Sequence, residues 1–173
     1  MAFYIESADR PPKSRLPAED VPVGTLVVEN GSDKVKVAAF ADSRFDGVAD
    51  QPLTGEQIKE YENIDDPNFD VYEAAEDERV TYGGDEDRAR IKVRTAEDNG
   101  TDPAPSISDE DIVGIAANGA EYAGRLVEEG YTDDSGTTYG RSSTGDFLPV
   151  GIAYRDEGTT YDTPVRIEVR RDL

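Results

Sequence analysis

Cysteine and histidine are both absent from this 173-residue chain. Without cysteine there is no disulfide, no thiolate zinc site and no cysteine nucleophile. Without histidine the commonest general base and the commonest transition-metal ligand are missing. Lysine is scarce, at five residues against thirteen arginines. No apolar run approaches the ~20 residues of a membrane-crossing helix. Met1 to Lys13 also lacks the apolar stretch of a signal peptide. These absences predict a soluble protein made in the cytoplasm, with no membrane partner.

Acid is abundant. The chain holds 39 Asp and Glu against 18 Lys and Arg, a formal net charge of −21. In dilute buffer such a charge repels itself and opposes compaction. Molar salt removes the problem, because the Debye length falls to about 3 Å at 1 M. The composition therefore reads as adaptation to a salty solvent. A disordered acidic tail is the other explanation for so much charge. It fits poorly, because the acids are interspersed with regular apolar alternations. Nucleic acid is an unsuitable partner, since phosphate binding calls for clustered cations.

Along the chain, Arg10-Pro11-Pro12-Lys13-Ser14-Arg15 brings three cations and no acid. Paired prolines favour an extended, unpaired backbone. Residues 1–22 are therefore expected to form an extended arm, either simply solvated or laid on a partner. On that reading residues 1–16 are dispensable for folding. Gly24 to Glu29 reads as a strand and Asn30-Gly31 as a hairpin turn. Val35, Val37 and Ala39 then alternate with Lys34 and Lys36. Thr54 to Tyr61 is the best helix candidate, with Thr54 and Gln57 as a capping box. Residues 56–78 hold ten acids and one lysine.

The cleanest strand spans Arg88 to Thr95. Ala89, Ile91 and Val93 face one way, and Arg88, Arg90, Lys92 and Arg94 the other. Ser108 and Asp111 could open a short helix. Further strands are expected at 120–128, 146–154 and 163–170. The fold expected is mainly β, a small barrel or sandwich with one or two short helices and the extended arm. Residues 23–173 would form one β-rich domain, with 54–106 an insertion or protruding lobe.

The two halves echo each other. Gly24-Thr-Leu-Val-Val precedes Gly47-Val-Ala, and Gly124-Arg-Leu-Val precedes Gly151-Ile-Ala. A pseudo-repeated pair of hairpins and chance likeness among glycine- and valine-rich strands both explain this. Together with Pro149-Val-Gly-Ile-Ala153 and the closing Val165-Arg-Ile-Glu-Val169, the pattern resembles the β-rich head-decoration, or cement, proteins of tailed viruses. The resemblance covers mainly residues 112–170, with a weaker echo over 21–50. It implies a non-enzymatic virion protein on the capsid exterior, often trimeric, with the major capsid protein as partner. The acidic composition adds a virus of halophilic archaea as the implied source.

Candidate sites for chemistry are few. Asp65-Asp66-Pro67-Asn68-Phe69-Asp70 and Asp133-Asp134-Ser135-Gly136 gather oxygen ligands of the kind calcium prefers. Neither matches the twelve-residue calcium loop, and solvated acids are the plainer explanation. No metal site, cofactor or catalytic residue is therefore assigned. Ser142 and Ser143 have no histidine to activate them. The stripe Arg88, Arg90, Lys92, Arg94 is either paired internally, with Glu73, Asp77 or Glu78 as candidates, or docks on an acidic protein. With Arg10, Lys13 and Arg15 it makes the expected capsid or subunit contact. Phe147 and Leu148 are candidates for an apolar centre of that contact, or are core.

A second class competes. In a halophilic ligand- or carbohydrate-binding domain, Tyr131, Tyr139, Tyr154 and Tyr161 would line a pocket. Both classes share one expectation. The melting temperature followed by circular dichroism should fall as KCl is lowered from molar to millimolar, because self-repulsion among the excess acids becomes unscreened. A constant melting temperature across that range would contradict the halophilic reading.

Overall fold

The valine-rich segment Leu26-Val-Val-Glu29 is buried on both faces, and the architecture follows from it. In the computed structural model, which describes residues 4–50 and 79–173, the chain is mainly β with a closed five-stranded barrel. The barrel consists of β2 (Lys13–Pro17), β4 (Lys34–Val37), β3 (Leu26–Glu29), β5 (Gly47–Ala49) and β6 (Val80–Gly83), in that order around the ring. All its pairings are antiparallel except β2 with β4, a short parallel pairing of Leu16 with Lys34 and Pro17 with Val35. Val21, Val27, Val35, Ala49, Val80 and Tyr82 form one buried apolar cluster within it.

Leu26, Val28 and Val48 belong to a second cluster, which they share with the inner face of a six-stranded antiparallel sheet. That sheet runs β1 (Ile5–Ser7), β7 (Arg90–Arg94), β15 (Pro164–Val169), β13 (Phe147–Ala153), β9 (Ile112–Ala116), β10 (Val127–Glu128). Alternation supplies its inner face, with Ile91 and Val93 from β7, Val165, Ile167 and Val169 from β15, and Val113 and Ile115 from β9. Barrel and sheet therefore share this second cluster. Two short ladders complete the strands of the described residues: β8 (Ser106–Ile107) with β14 (Gly158–Thr159), and the hairpin β11 (Tyr131–Thr132) with β12 (Thr138–Tyr139).

Several expectations are corrected. The N-terminal segment is extended but is no free arm. Its backbone supplies β1, paired with β7, and β2, which closes the barrel between β4 and β6. The two prolines fall in the connection between those strands, where no ladder hydrogen bond is lost. Residues 108–112 form a turn rather than a helix. Asp111 does accept the Ser108 N–H at 2.8 Å, but Glu110 adopts φ +69° and the chain leaves as β9. Of the expected insertion 54–106, the described part carries β6 and β7, integral to barrel and sheet. The expected helix at 54–61 lies outside the described residues. Within 120–128 only Val127 and Glu128 form a strand, preceded by a 3₁₀ turn at Ala120–Tyr122.

The internal echo is not a repeated hairpin. β3 pairs directly with β5, whereas β10 and β13 are separated by β9. The two glycine motifs instead meet each other. The Leu26 N–H donates to the Gly124 carbonyl at 2.7 Å, and the Gly124 N–H to the Ala38 carbonyl at 2.6 Å. Both glycines have positive φ, +89° at Gly24 and +66° at Gly124. A Cβ on Gly24 would lie 2.2 Å from the Tyr4 ring, and one on Gly124 2.6 Å from the Leu26 carbonyl oxygen. The close approach of barrel to sheet demands glycine there.

Deleting residues 1–16 should therefore destroy the fold. It removes β1, most of β2 and the buried Tyr4, which opens the barrel and uncovers the edge of β7. Loss of the near-ultraviolet dichroism and of a cooperative melt is the expected result. A truncated chain that melts like the full one would restore the free-arm view.

Candidate functional site

The cationic stripe on β7 turns out to be held within the chain. Arg88 and Arg90 reach Glu168 on β15 at 3.3 and 3.6 Å, and Lys92 reaches Glu6 on β1 at 4.0 Å. Lys92 and Arg94 are only 5% and 1% exposed, so neither is open to a partner. Glu6 and Glu168 come from the strands that flank β7, so cross-strand pairing absorbs the like charges. The suggested partners Glu73, Asp77 and Glu78 lie outside the described residues. Lys13 and Arg15 sit beside Glu29 at 3.1 and 3.6 Å, and Arg15 also donates to the Tyr82 hydroxyl at 2.9 Å. Arg10 is exposed, its backbone N–H donating to Glu86.

Of the tyrosines proposed to line a pocket, Tyr131 and Tyr139 are buried, and Tyr154 and Tyr161 are half-buried. Asp102, 5% exposed, accepts hydrogen bonds from the Tyr122 hydroxyl at 2.6 Å, from Asn99 Nδ2 at 2.7 Å, from the Asp134 N–H at 3.0 Å and from Asn118 Nδ2 at 3.1 Å. The Tyr122 and Tyr131 hydroxyls are 3.0 Å apart, and Tyr131 donates to the Pro103 carbonyl at 2.6 Å. Tyr161 donates to the Asp102 carbonyl. Burial pushes the Asp102 carboxyl up, but its hydrogen bonds outweigh burial and hold it down at about 2. Burial together with the Asp102 carboxylate raises the Tyr122 hydroxyl far above the usual tyrosine range. Tyr154 instead joins the sheet's charge ladder, donating to Glu6 with Arg90 stacked 4.9 Å from its ring centre.

The oxygen-rich segment at 133–136 is the turn of the β11–β12 hairpin. Asp133 accepts from Ser135 Oγ at 2.6 Å, the Thr137 N–H at 2.8 Å and the Tyr139 hydroxyl at 2.9 Å. Its carboxylate is spent on the turn. The matching segment 65–70 lies outside the described residues. Among the described residues no group of three or more acids is placed to hold a metal ion. Ser142 and Ser143 lie in an exposed loop. Phe147 and Leu148 are core, the first in the tyrosine cluster and the second against the main one.

What the structure does open to the outside is a groove where barrel meets sheet. One wall is the 3₁₀ turn Phe40–Asp42 with Ala39 before it, and the other is formed by Ala116 to Ala120 together with Ala123. Its volume is about 340 Å³. Both walls are firmly built. Asp42 accepts the Ala39 N–H at 2.9 Å and pairs with Lys36 at 2.9 Å. The opposite wall is pinned by Tyr122 and Asn118 on Asp102. A second hollow of about 230 Å³ continues past Ala120 and Ala123, among Glu19, Asp20, Glu97 and Arg125. Sequence reasoning passed over this groove, although Ala38-Ala-Phe-Ala41 and Ala116-Ala-Asn-Gly-Ala120 are legible as small-residue runs.

No family model, curated protein or solved structure matches the chain.

The Asp102 network yields a prediction. A carboxyl whose folded value lies below its unfolded value of about 3.9 stabilises the fold above that value. That stabilisation is lost as pH falls from about 4 toward about 2. Asp102→Asn should lower unfolding free energy at neutral pH by about 2 kcal/mol and flatten the decline between pH 4 and pH 2. Urea titrations at several pH values in high salt check both. An unchanged acid limb would mean that other carboxylates govern it.

Proposed function

We propose that the chain is a structural protein that works through its outer surface, binding the exterior of a viral capsid and stabilising the head. One observation carries the reading. Of the four tyrosines that a ligand-binding domain would turn toward a pocket, Tyr131 and Tyr161 are committed to the Asp102 cluster and Tyr139 to the Asp133 turn, while the concavity at the junction is a trough walled by alanine methyls. A trough of that kind suits a protein surface, which supplies its own apolar side chains and needs few convergent polar groups. The barrel supports the same reading, because side chains fill its interior.

The segments behind the resemblance to head-decoration proteins lie close together. Residues 149–153 and 165–169 fall on the neighbouring strands β13 and β15, and 123–127 lead into β10 of the same sheet. In this reading the chain is non-enzymatic, trimeric, and bound to the major capsid protein of a virus with a salt-rich host. Affinity in such a solvent must rest on apolar contact, since molar salt leaves exposed ion pairs little value.

Co-sedimentation with empty capsids in molar KCl tests the reading, with light scattering on the free protein alongside. Saturable binding and the mass of three chains are expected. A strict monomer that stays in the supernatant would return the ligand-binding alternative to first place.

A further inference from the structure

We propose that the alanine-walled groove receives an extended aliphatic segment of a partner protein, with a lysine or arginine of that segment at the Glu19–Asp20 end. This deepens the docking reading and rests on it, naming the chemistry of the partner and where it sits.

The two hollows adjoin at Ala120 and Ala123, which line both, and the proposed path crosses those residues. Their chemistry differs along that path. The first offers alanine methyls and the edge of Phe40, with no charged side chain among its lining residues. The second is acidic. Arg125 on its floor is 4% exposed and already committed to Glu97 at 2.6 Å and to Asp162. Glu19 spends one oxygen on the Val37 N–H at 3.0 Å, and Asp20 is exposed. Among the described residues no cation pairs with either. An occupant therefore meets apolar contact first and negative charge second.

Charge also bears on which occupant fits. Glu19 and Asp20 favour a segment that brings a cation into direct contact with them, where screening over about 3 Å acts least. The walls are preorganised as well, so little ordering is needed on binding. The Gly124 N–H, donating to the Ala38 carbonyl at 2.6 Å, ties one wall to the other. In molar salt the apolar trough supplies affinity, and the acids set which way the segment runs.

A displayed library of random peptides, selected on the wild-type protein in molar KCl, is the direct test. Selected sequences should combine a run of aliphatic residues with lysine or arginine on one consistent side. Ala120→Glu blocks the shared floor at an exposed position. It should weaken a labelled selected peptide by about tenfold or more while leaving the melting temperature unchanged. Glu19→Gln with Asp20→Asn should weaken cation-bearing peptides and spare analogues whose cation is replaced by glutamine. Selected peptides that are acidic, or that bind Ala120→Glu equally well, would overturn the proposal. So would a change in oligomer mass on Ala120→Glu, which would make the groove a self-contact. Capsid binding separates the two readings. If wild type and Ala120→Glu co-sediment equally, the groove proposal falls and the capsid reading stands. If neither co-sediments but peptides select as described, the reverse holds.

Discussion

Arg94 is the residue on which the union of barrel and sheet depends. Its backbone N–H donates to the Gly24 carbonyl at 2.9 Å, and its carbonyl accepts from the Leu26-like position of the second glycine motif, Leu126, at 3.0 Å. Its guanidinium, 1% exposed, donates to the Val23 carbonyl at 3.3 Å and the Asp162 carbonyl at 2.7 Å. The Tyr4 ring lies beneath it, 5.9 Å from ring centre to guanidinium carbon. One side chain thus touches the N-terminal segment, the start of the barrel and the turn before β15. A buried charge is tolerable only when paired, and removing one partner of such a pair costs about 3–5 kcal/mol. Asp162 is that partner. It adopts φ +45° and also takes Arg125, so two buried arginines converge on one carboxylate.

This convergence explains why a protein so rich in acid buries cations. Most carboxylates can stay in solvent, where salt screens them. The cations are fewer and are spent where backbone carbonyls and acids must be held together. Glu168 gathers Arg88, Arg90 and Arg170, and Glu6 gathers Lys92 and Arg166. Each of these carboxylates lies between cationic neighbours on the sheet, so the ladder is a network rather than a set of isolated pairs. Networks of partly buried pairs keep more of their value in salt than exposed ones do.

Period-two patterning made much of the fold legible. β3, β4, β7, β13 and β15 all fall within segments expected to be strands, because apolar alternation reports which face of a strand meets a core. It does not report which strand lies beside which. The parallel β2–β4 pairing, the capture of β1 by β7 and the insertion of β9 between β10 and β13 are therefore invisible to it. β9 was hidden further by Ser108 and Asp111, whose capping geometry forms but ends after one turn. Of the stripe, Arg90, Lys92 and Arg94 lie on β7, whereas Arg88 precedes it with φ +71°. The acids beside its two buried cations, Glu6 and Asp162, are 86 and 68 positions from Lys92 and Arg94 in sequence and adjacent only once folded. The Asp102 cluster is hidden for the same reason, since in sequence Asp102 is one acid among 39.

The groove belongs to this second, illegible kind, and its position follows from the junction itself. Barrel and sheet approach most closely at Gly24 and Gly124, where any side chain would collide. Beyond that point the chain must diverge from the close approach, and on both sides it does so through short 3₁₀ turns that each carry an alanine, Ala41 and Ala120. Small residues allow the turns to stay tight, but they are too short to fill the angle between the two layers. A trough is the geometric remainder. Its base cannot close by side-chain collapse, because the hydrogen bond from Gly124 to Ala38 and the anchoring of Tyr122 on Asp102 fix both walls. Larger residues at Ala117 or Ala120 would fill it without disturbing the core, since both are exposed. Alanine at those positions satisfies the turn while leaving apolar surface open beside an acidic rim. The same constraint that joins the two layers therefore places an apolar concavity at their seam.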